Sequence, residues 1–189
     1  MSIPRRMSFP AGWWGMLMLI ASETMLLGSF IATYFYLRFK APVWPPHGDH
    51  AAPIATTLIL TACLLLTSAP MAVASWSAAA GDLLKARLAL VVALVVQCGY
   101  VAYEFNDFKD QLHQVDITHD QYTSIYYTLL GADHAHVFIG VLFNVWLLGK
   151  LAGGLTRYRV RAAQAIAWYW HFVNFMTLLI VAVLLSGHV

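Results

Sequence analysis

Seven residues in this 189-residue chain have side chains that could do chemistry, and all lie in or beside apolar runs. They are Glu23, Glu104, Asp133, His134, His136, His171 and Asn174. A charged group facing lipid at mid-bilayer costs about 2.5–3.5 kcal/mol, so such groups turn inward and pair. Carboxyls and imidazoles together offer three chemistries. His136 and His171, at similar depth on neighbouring helices, could be axial haem ligands. The small residues and propionate partners that a haem needs are not evident beside them. Asp133, His134 and His136 carry metal-donor atoms, but residues i and i+2 point to different helix faces and cannot easily reach one ion. Glu23, Asp133 and the histidines could instead be stations of a proton or ion path. The fourth reading, adopted here, is structural: Glu23, Asp133, His134, His136, His171 and Asn174 form an intramembrane polar network that holds the packing. Glu104 stands apart, either as a solvated helix end or as a packing or partner contact. The expectation is no catalytic, cofactor-binding or metal site in this chain.

The elements that must position these groups are apolar helices. Residues 13–38 form one long apolar run with Glu23 inside it. At 1.5 Å per residue, Glu23 lies about 15 Å beyond Trp13, near mid-membrane. Four further spans follow at about 53–79, 87–108, 124–150 and 162–186. Pro70 should kink the second span. In the fourth, Asp133, His136, Gly140 and Asn144 share one face, with His134 about 100° round from Asp133. In the fifth, His171 and Asn174 share a face. His136 is about 21 Å, and His171 about 14 Å, from the same end of their spans, which puts both near the depth of Glu23; a hydrogen bond between Glu23 and His136 is expected, since leaving either unpaired in the interior is costly. The small pairs Gly28 with Ala32 and Ala74 with Ala78 would let helices approach closely.

Composition agrees. The chain is 60% hydrophobic and 11% charged, against about 25% charged in a soluble domain. The predicted fold is an all-α integral membrane protein, a single domain over 1–189 built as a five-helix bundle. The start MSIPRRM leads into an apolar run too long for a signal core and without a cleavage site. Cys63 and Cys98 lie in apolar runs and read as small core residues. The pairs and triplets of aromatic residues at 13–14, 34–36, 126–127 and 168–170 read mostly as interface belts. Five spans put the termini on opposite sides. Arg5, Arg6, Lys85, Arg87, Lys150, Arg157, Arg159 and Arg161 then share the N-terminal side; Arg38, Lys40 and Lys109 fall on the other. The positive-inside rule makes the N-terminus cytoplasmic and the C-terminus external. On the outer side, residues 41–52 form a proline-rich loop, and 106–123 an acidic loop with His113 and His119. The net charge of +2 gives no reason to expect a nucleic-acid partner.

Five ordered stretches resemble subunit III of the haem-copper respiratory oxidases, the cytochrome c and quinol oxidases. Residues 14–38 resemble that family's WG…SE-x-M…YxxLR helix, with Glu23 on its intramembrane glutamate, and 41–48, APVWPPHG, its proline-rich loop. Tyr103-Glu104-Phe105 resembles its YEF/EY element. Residues 127–140 follow its TG-x-H-G-x-HV pattern, and 167–174, AWYWHFVN, its YWHFVD. His136 and His171 match. Asp133 stands where the family has the first histidine, His134 where it has glycine, and Asn174 where it has aspartate. The length resembles the short bacterial form. The resemblance implies a subunit without haem or copper, those being held by partner subunits. It implies contact with subunit I, assembly with subunit II and the rest of the complex, bound phospholipid, support of proton uptake, and a place in a bacterial cell membrane. An accessory subunit of nitric oxide reductase and an autonomous proton or ion transporter are the alternatives.

Overall fold

A computed structural model describes residues 11–45, 54–114 and 120–188. Its regular elements are α1 (Ala11–Lys40), α2 (Ile54–Leu66), α3 (Ser68–Ala80), α4 (Leu83–Gln114), α5 (Gln121–Ala152) and α6 (Arg157–Leu185), closed by the 3-10 turn Ser186–His188. Because α2 and α3 are halves of one span, five stretches are long and apolar enough to cross a membrane. The chain is an all-helical membrane protein, with no strand among the described residues. Arg5, Arg6, Asp49, Asp116, His119 and the proline-rich loop beyond Pro45 lie outside the described residues.

The break between α2 and α3 falls at Thr67, three residues before Pro70. Pro70 has no N–H to give the carbonyl of Leu66, and its ring presses on that turn. The chain tightens there: Thr67 N–H donates to Leu64 O at 3.0 Å, an i to i−3 bond. The fourth element departs from expectation. The helix runs on to Gln114, so half of the expected acidic loop, residues 106–114, is helical. Nothing in 106–114 breaks a helix, and Gln111 Nε2 donates to Asp107 Oδ2 one turn back at 2.6 Å. α5 starts at the cap Asp120, which accepts from Thr123 N–H at 2.7 Å, and α6 starts at the cap Thr156.

The bundle is arranged around α6, which packs on α1, α2, α3 and α5; among the described helices α1 packs on α5 and α6, and its Arg38 donates to Ser186 Oγ of the closing turn at 2.9 Å. Of the most apolar stretch of each, 56% is buried in α6 and 6% in α1. Two apolar cores result. One joins α3 to α6 through Met71, Ala74, Leu90, Val137 and Trp170. The other joins α1, α5 and α6 through Leu27, Tyr34, Leu129 and Ile180. Asp133, His134 and His136 of α5 lie between Leu129 and Val137, where the two cores meet.

Three expectations about which residues are interior are corrected. Cys63 and Cys98 are exposed, not core. In a membrane the outer surface is as apolar as the interior, so an apolar neighbourhood does not say inside. Gly28 and Ala32 face outward as well, while Ala74 and Ala78 are buried against a neighbour. The aromatic runs divide. Tyr34, Tyr126, Tyr127, Tyr169 and Trp170 are buried; Trp14, Tyr36 and Trp168 are exposed. Consecutive helical residues differ by about 100°, so a run of rings must supply both faces.

At one end of the bundle Arg87 closes α5. Its guanidinium donates to Leu151 O from Nε at 3.1 Å and from Nη2 at 2.6 Å, and to Ala152 O at 3.0 Å. These are carbonyls that a helix end leaves unsatisfied, met here by a cation at the negative end of the dipole. Arg87→Ala is expected to destabilise the bundle by about 1.5–3 kcal/mol, read as a lower thermal midpoint in detergent. Arg87→Lys should recover only part, since a point charge cannot span two carbonyls.

Candidate functional site

Among the described residues, Glu23 with His136 and Glu104 with His134 form two separate pairs, each joining two helices, while Asp133 pairs with Thr177 and His171 with none of these groups. His136, on α5, reaches α1: its Nε2 lies 2.7 Å from Glu23 Oε2. Its other nitrogen, Nδ1, lies 2.6 Å from Ala132 O on its own helix. A carbonyl can only accept, so Nδ1 carries a proton. With that fixed, the bond to Glu23 holds one shared proton. It is either a carboxylic acid donating to a neutral imidazole or a carboxylate accepting from an imidazolium. Both forms have zero net charge, which is what a low-dielectric interior tolerates. The Glu23 side chain keeps 23% exposure against 11% for His136, so the pair lies at the rim where α1 joins the bundle. Tyr169 O–H donates to the His136 carbonyl at 3.4 Å.

His134 reaches the other way, to α4. Its Nε2 is 3.0 Å from Glu104 Oε2, with side chains only 17% and 15% exposed. Glu104 is therefore a packing contact and not a solvated helix end. Its helix continues past it, and the 100° offset of His134 from Asp133 aims the imidazole at α4. Asp133 is buried and takes a hydrogen bond from Thr177 on α6, at 2.8 Å into Oδ1. Asp133, His134 and His136 thus go to three different helices. Among the described residues no three His, Cys, Asp or Glu side chains converge as a metal site would need.

Asn174 serves the kink. Its Nδ2 donates to Ser68 Oγ at 2.6 Å and to Leu64 O at 3.3 Å. Leu64 O is the carbonyl that also receives Thr67 Oγ1–H at 2.5 Å. An aspartate here could still accept from the Ser68 hydroxyl but would meet Leu64 O acceptor to acceptor, which gives the departure from YWHFVD a physical reason. Asn174→Asp is expected to cost about 1–3 kcal/mol, seen as a lower midpoint, whereas Asn174→Asp with Ser68→Ala should not be rescued because Leu64 O remains. His171 makes no hydrogen bond among the described residues and is half-buried; it does not join the other groups.

Two anchors lie outside the expected polar network, although Asn144 was already placed on the polar face of its helix. Gln97 and Asn144 are both fully buried, and Asn144 Nδ2 donates to Gln97 Oε1 at 2.9 Å, tying α4 to α5. Thr67 Oγ1 accepts from the indole N–H of Trp170 at 2.8 Å, tying the kink to α6. Uncharged amides and hydroxyls hide in an apolar sequence, though a lone glutamine in LALVVALVVQCGYV was a usable signal.

A family model described as cytochrome c oxidase subunit III matches residues 10–187. Cytochrome c oxidase subunit 3 of Bacillus sp. (strain PS3) is 27% identical over 167 residues, 86% of this chain and 78% of that protein. Quinol oxidase subunit 3 of Bacillus spizizenii is 26% identical over 167 residues, 86% of this chain and 79% of its own length. Heme-copper oxidase subunit I+III of Aeropyrum pernix is 28% identical over 174 residues, 85% of this chain and 21% of that longer protein.

Proposed function

Since the chain belongs to the cytochrome c oxidase subunit III family, we propose that it is the non-catalytic third subunit of a proton-pumping terminal oxidase. In this reading the complex reduces oxygen to water, and this chain stabilises subunit I, binds phospholipid and supports proton uptake. The whole chain acts as one transmembrane unit of a bacterial cell membrane, N-terminus inside and C-terminus outside. The observation that carries the reading is the pattern of polar contacts. Glu23 with His136, Glu104 with His134 and Asp133 with Thr177 satisfy one another between helices, which is what a packing role requires. The Aeropyrum pernix relative, named as subunit I+III, supports subunit I as the direct neighbour. Haem and copper belong to the partner subunits in this reading. The relative named quinol oxidase subunit 3, as similar as those named for cytochrome c, keeps quinol open as the electron donor.

Gentle detergent purification through a tag on this chain tests the proposal. Haem absorbance should arrive with a larger partner and disappear when the chain is stripped from it. A chain that purifies without any haem protein and moves protons alone in liposomes would replace this reading with the transporter.

A further inference from the structure

The polar pairs explain how α5 is held, but they leave one carboxylate oxygen unused. Thr177 occupies Oδ1 of Asp133; Oδ2 has no donor among the described residues. Beside it runs a narrow crevice of about 60 Å³ between α2, α4, α5 and α6. Its deep end is made by Asp133, Thr61, Tyr100 and Thr177, and its far end by Asp107 and Gln111 of α4. Below Asp133 the bundle closes on Leu64, Val137, Trp170 and Val173, all buried in the first core. The crevice therefore leads toward the C-terminal ends of α4 and α6 and not toward the other side of the bundle. Gln111 points the same way: its Nε2 donates to Asp107, while its Oε1 is buried without a partner.

We propose that this crevice is a hydrated, one-sided channel that gives the Asp133 carboxyl proton exchange with the aqueous phase at the Asp107 end alone. The ligand is water. Buried water needs about 10–15 Å³ each and two to four polar partners, so the crevice has room for about four. The partners are in place: Asp133 Oδ2 at the bottom, Gln111 Oε1 near the mouth, and the lone pairs of Thr61 Oγ1 along α2. The exchange is balanced within the chain of waters: a proton leaving Asp133 passes to the first water as another leaves at the mouth. The ionisable groups facing this path are Tyr100, Glu104 and Asp107 on α4 and Tyr126 and His134 on α5; α2 and α6 offer threonines. Tyr100, Glu104 and His134 also line an apolar groove of about 310 Å³ on the outer side of α4 and α5, so they form the wall between wet crevice and apolar surface. The inference goes beyond the subunit assignment and does not depend on the electron donor.

Two measurements test it. Radiolytic footprinting of the unaltered chain in its own membrane generates hydroxyl radicals from bound water. Tyr100 and Leu130, which line the crevice, should be oxidised several-fold faster than Met71, an intrinsically reactive side chain at 1% exposure and remote from the crevice. Labelling of Met71 as fast or faster would mean a dry crevice and overturn the proposal. The second uses Thr61→Cys with Cys63→Ala and Cys98→Ala in sealed vesicles of either orientation. Silver ion should block the new thiol many-fold faster from the Asp107 side than from the opposite side. It should also do so faster than at Leu58→Cys, on the exposed face of α2. Equal rates from both sides, or a rate no faster than at position 58, would overturn it.

Discussion

Glu23→Ala is expected to loosen α1 and, with it, the subunit's hold on its complex. Among the described helices α1 packs on α5 and α6, and its interior carboxyl, Glu23, is held by His136. The alanine removes a bond of about 0.6–2 kcal/mol by the standards of membrane interiors. It also leaves His136 Nε2 without a partner, a penalty of about 1–3 kcal/mol. Together these predict at least a tenfold drop in retention, since about 1.4 kcal/mol is a factor of ten. The ratio of this chain to haem after a detergent wash measures it. The initial rate of oxygen reduction per haem should fall far less. Glu23→Gln distinguishes the shared-proton pair from a bare charge requirement. The glutamine amide can donate to Nε2 while Nδ1–H stays on Ala132 O, so retention should be close to that of the unaltered chain. Loss of oxygen reduction at once, with the alanine variant still bound, would defeat this account.

Gly140→Leu should prevent assembly of the bundle, and Gly140→Ala should already weaken it. A Cβ at Gly140 would lie 2.7 Å from Trp170 Cζ3 and 2.8 Å from Cε3, well inside contact distance. Trp170 cannot swing clear, because it is fully buried and its indole N–H is held by Thr67. Overpacking of this kind costs about 1–3 kcal/mol, against a gain of up to about 1 kcal/mol for replacing glycine in a helix. The clash wins for alanine, and leucine adds three more carbons to the same place. Thermal midpoint and yield of the assembled chain are the readouts. Gly149→Ala is the control, since nothing lies within 4 Å of its Cβ position. Trp170→Phe should relieve part of the Gly140→Ala defect, giving a double variant less damaged than the sum of the two. Additive losses would show that the two positions do not press on each other.

The reason some features were legible and others not lies in what each depends on. The five spans, the break near Pro70 and the inward turn of Glu23 follow from the length of apolar runs, a missing N–H and the cost of charge in hydrocarbon. These are local or nearly local, and the amino-acid order alone carries them. It also carries the i, i+2 spacing of His134 and His136, which points them to different helix faces and argued against a shared ion.

What the order of residues left open was which of the equally apolar faces meets which neighbour. In water, hydrophobicity separates inside from outside; between lipid tails it does not, so Cys63, Cys98, Gly28 and Ala32 could not be sorted until the helices were packed. The pairing of Glu23 with His136 was expected from their shared depth and the cost of leaving either unpaired; the placement of α1 against α5 brings them to 2.7 Å, while His171, at similar depth, joins neither. Tertiary structure likewise decided that Glu104 faces inward, that Asn174 serves the kink, and that Gln97 finds Asn144. A hydrogen bond reaches about 3 Å, whereas sequence fixes depth along a helix far better than rotation against its neighbours.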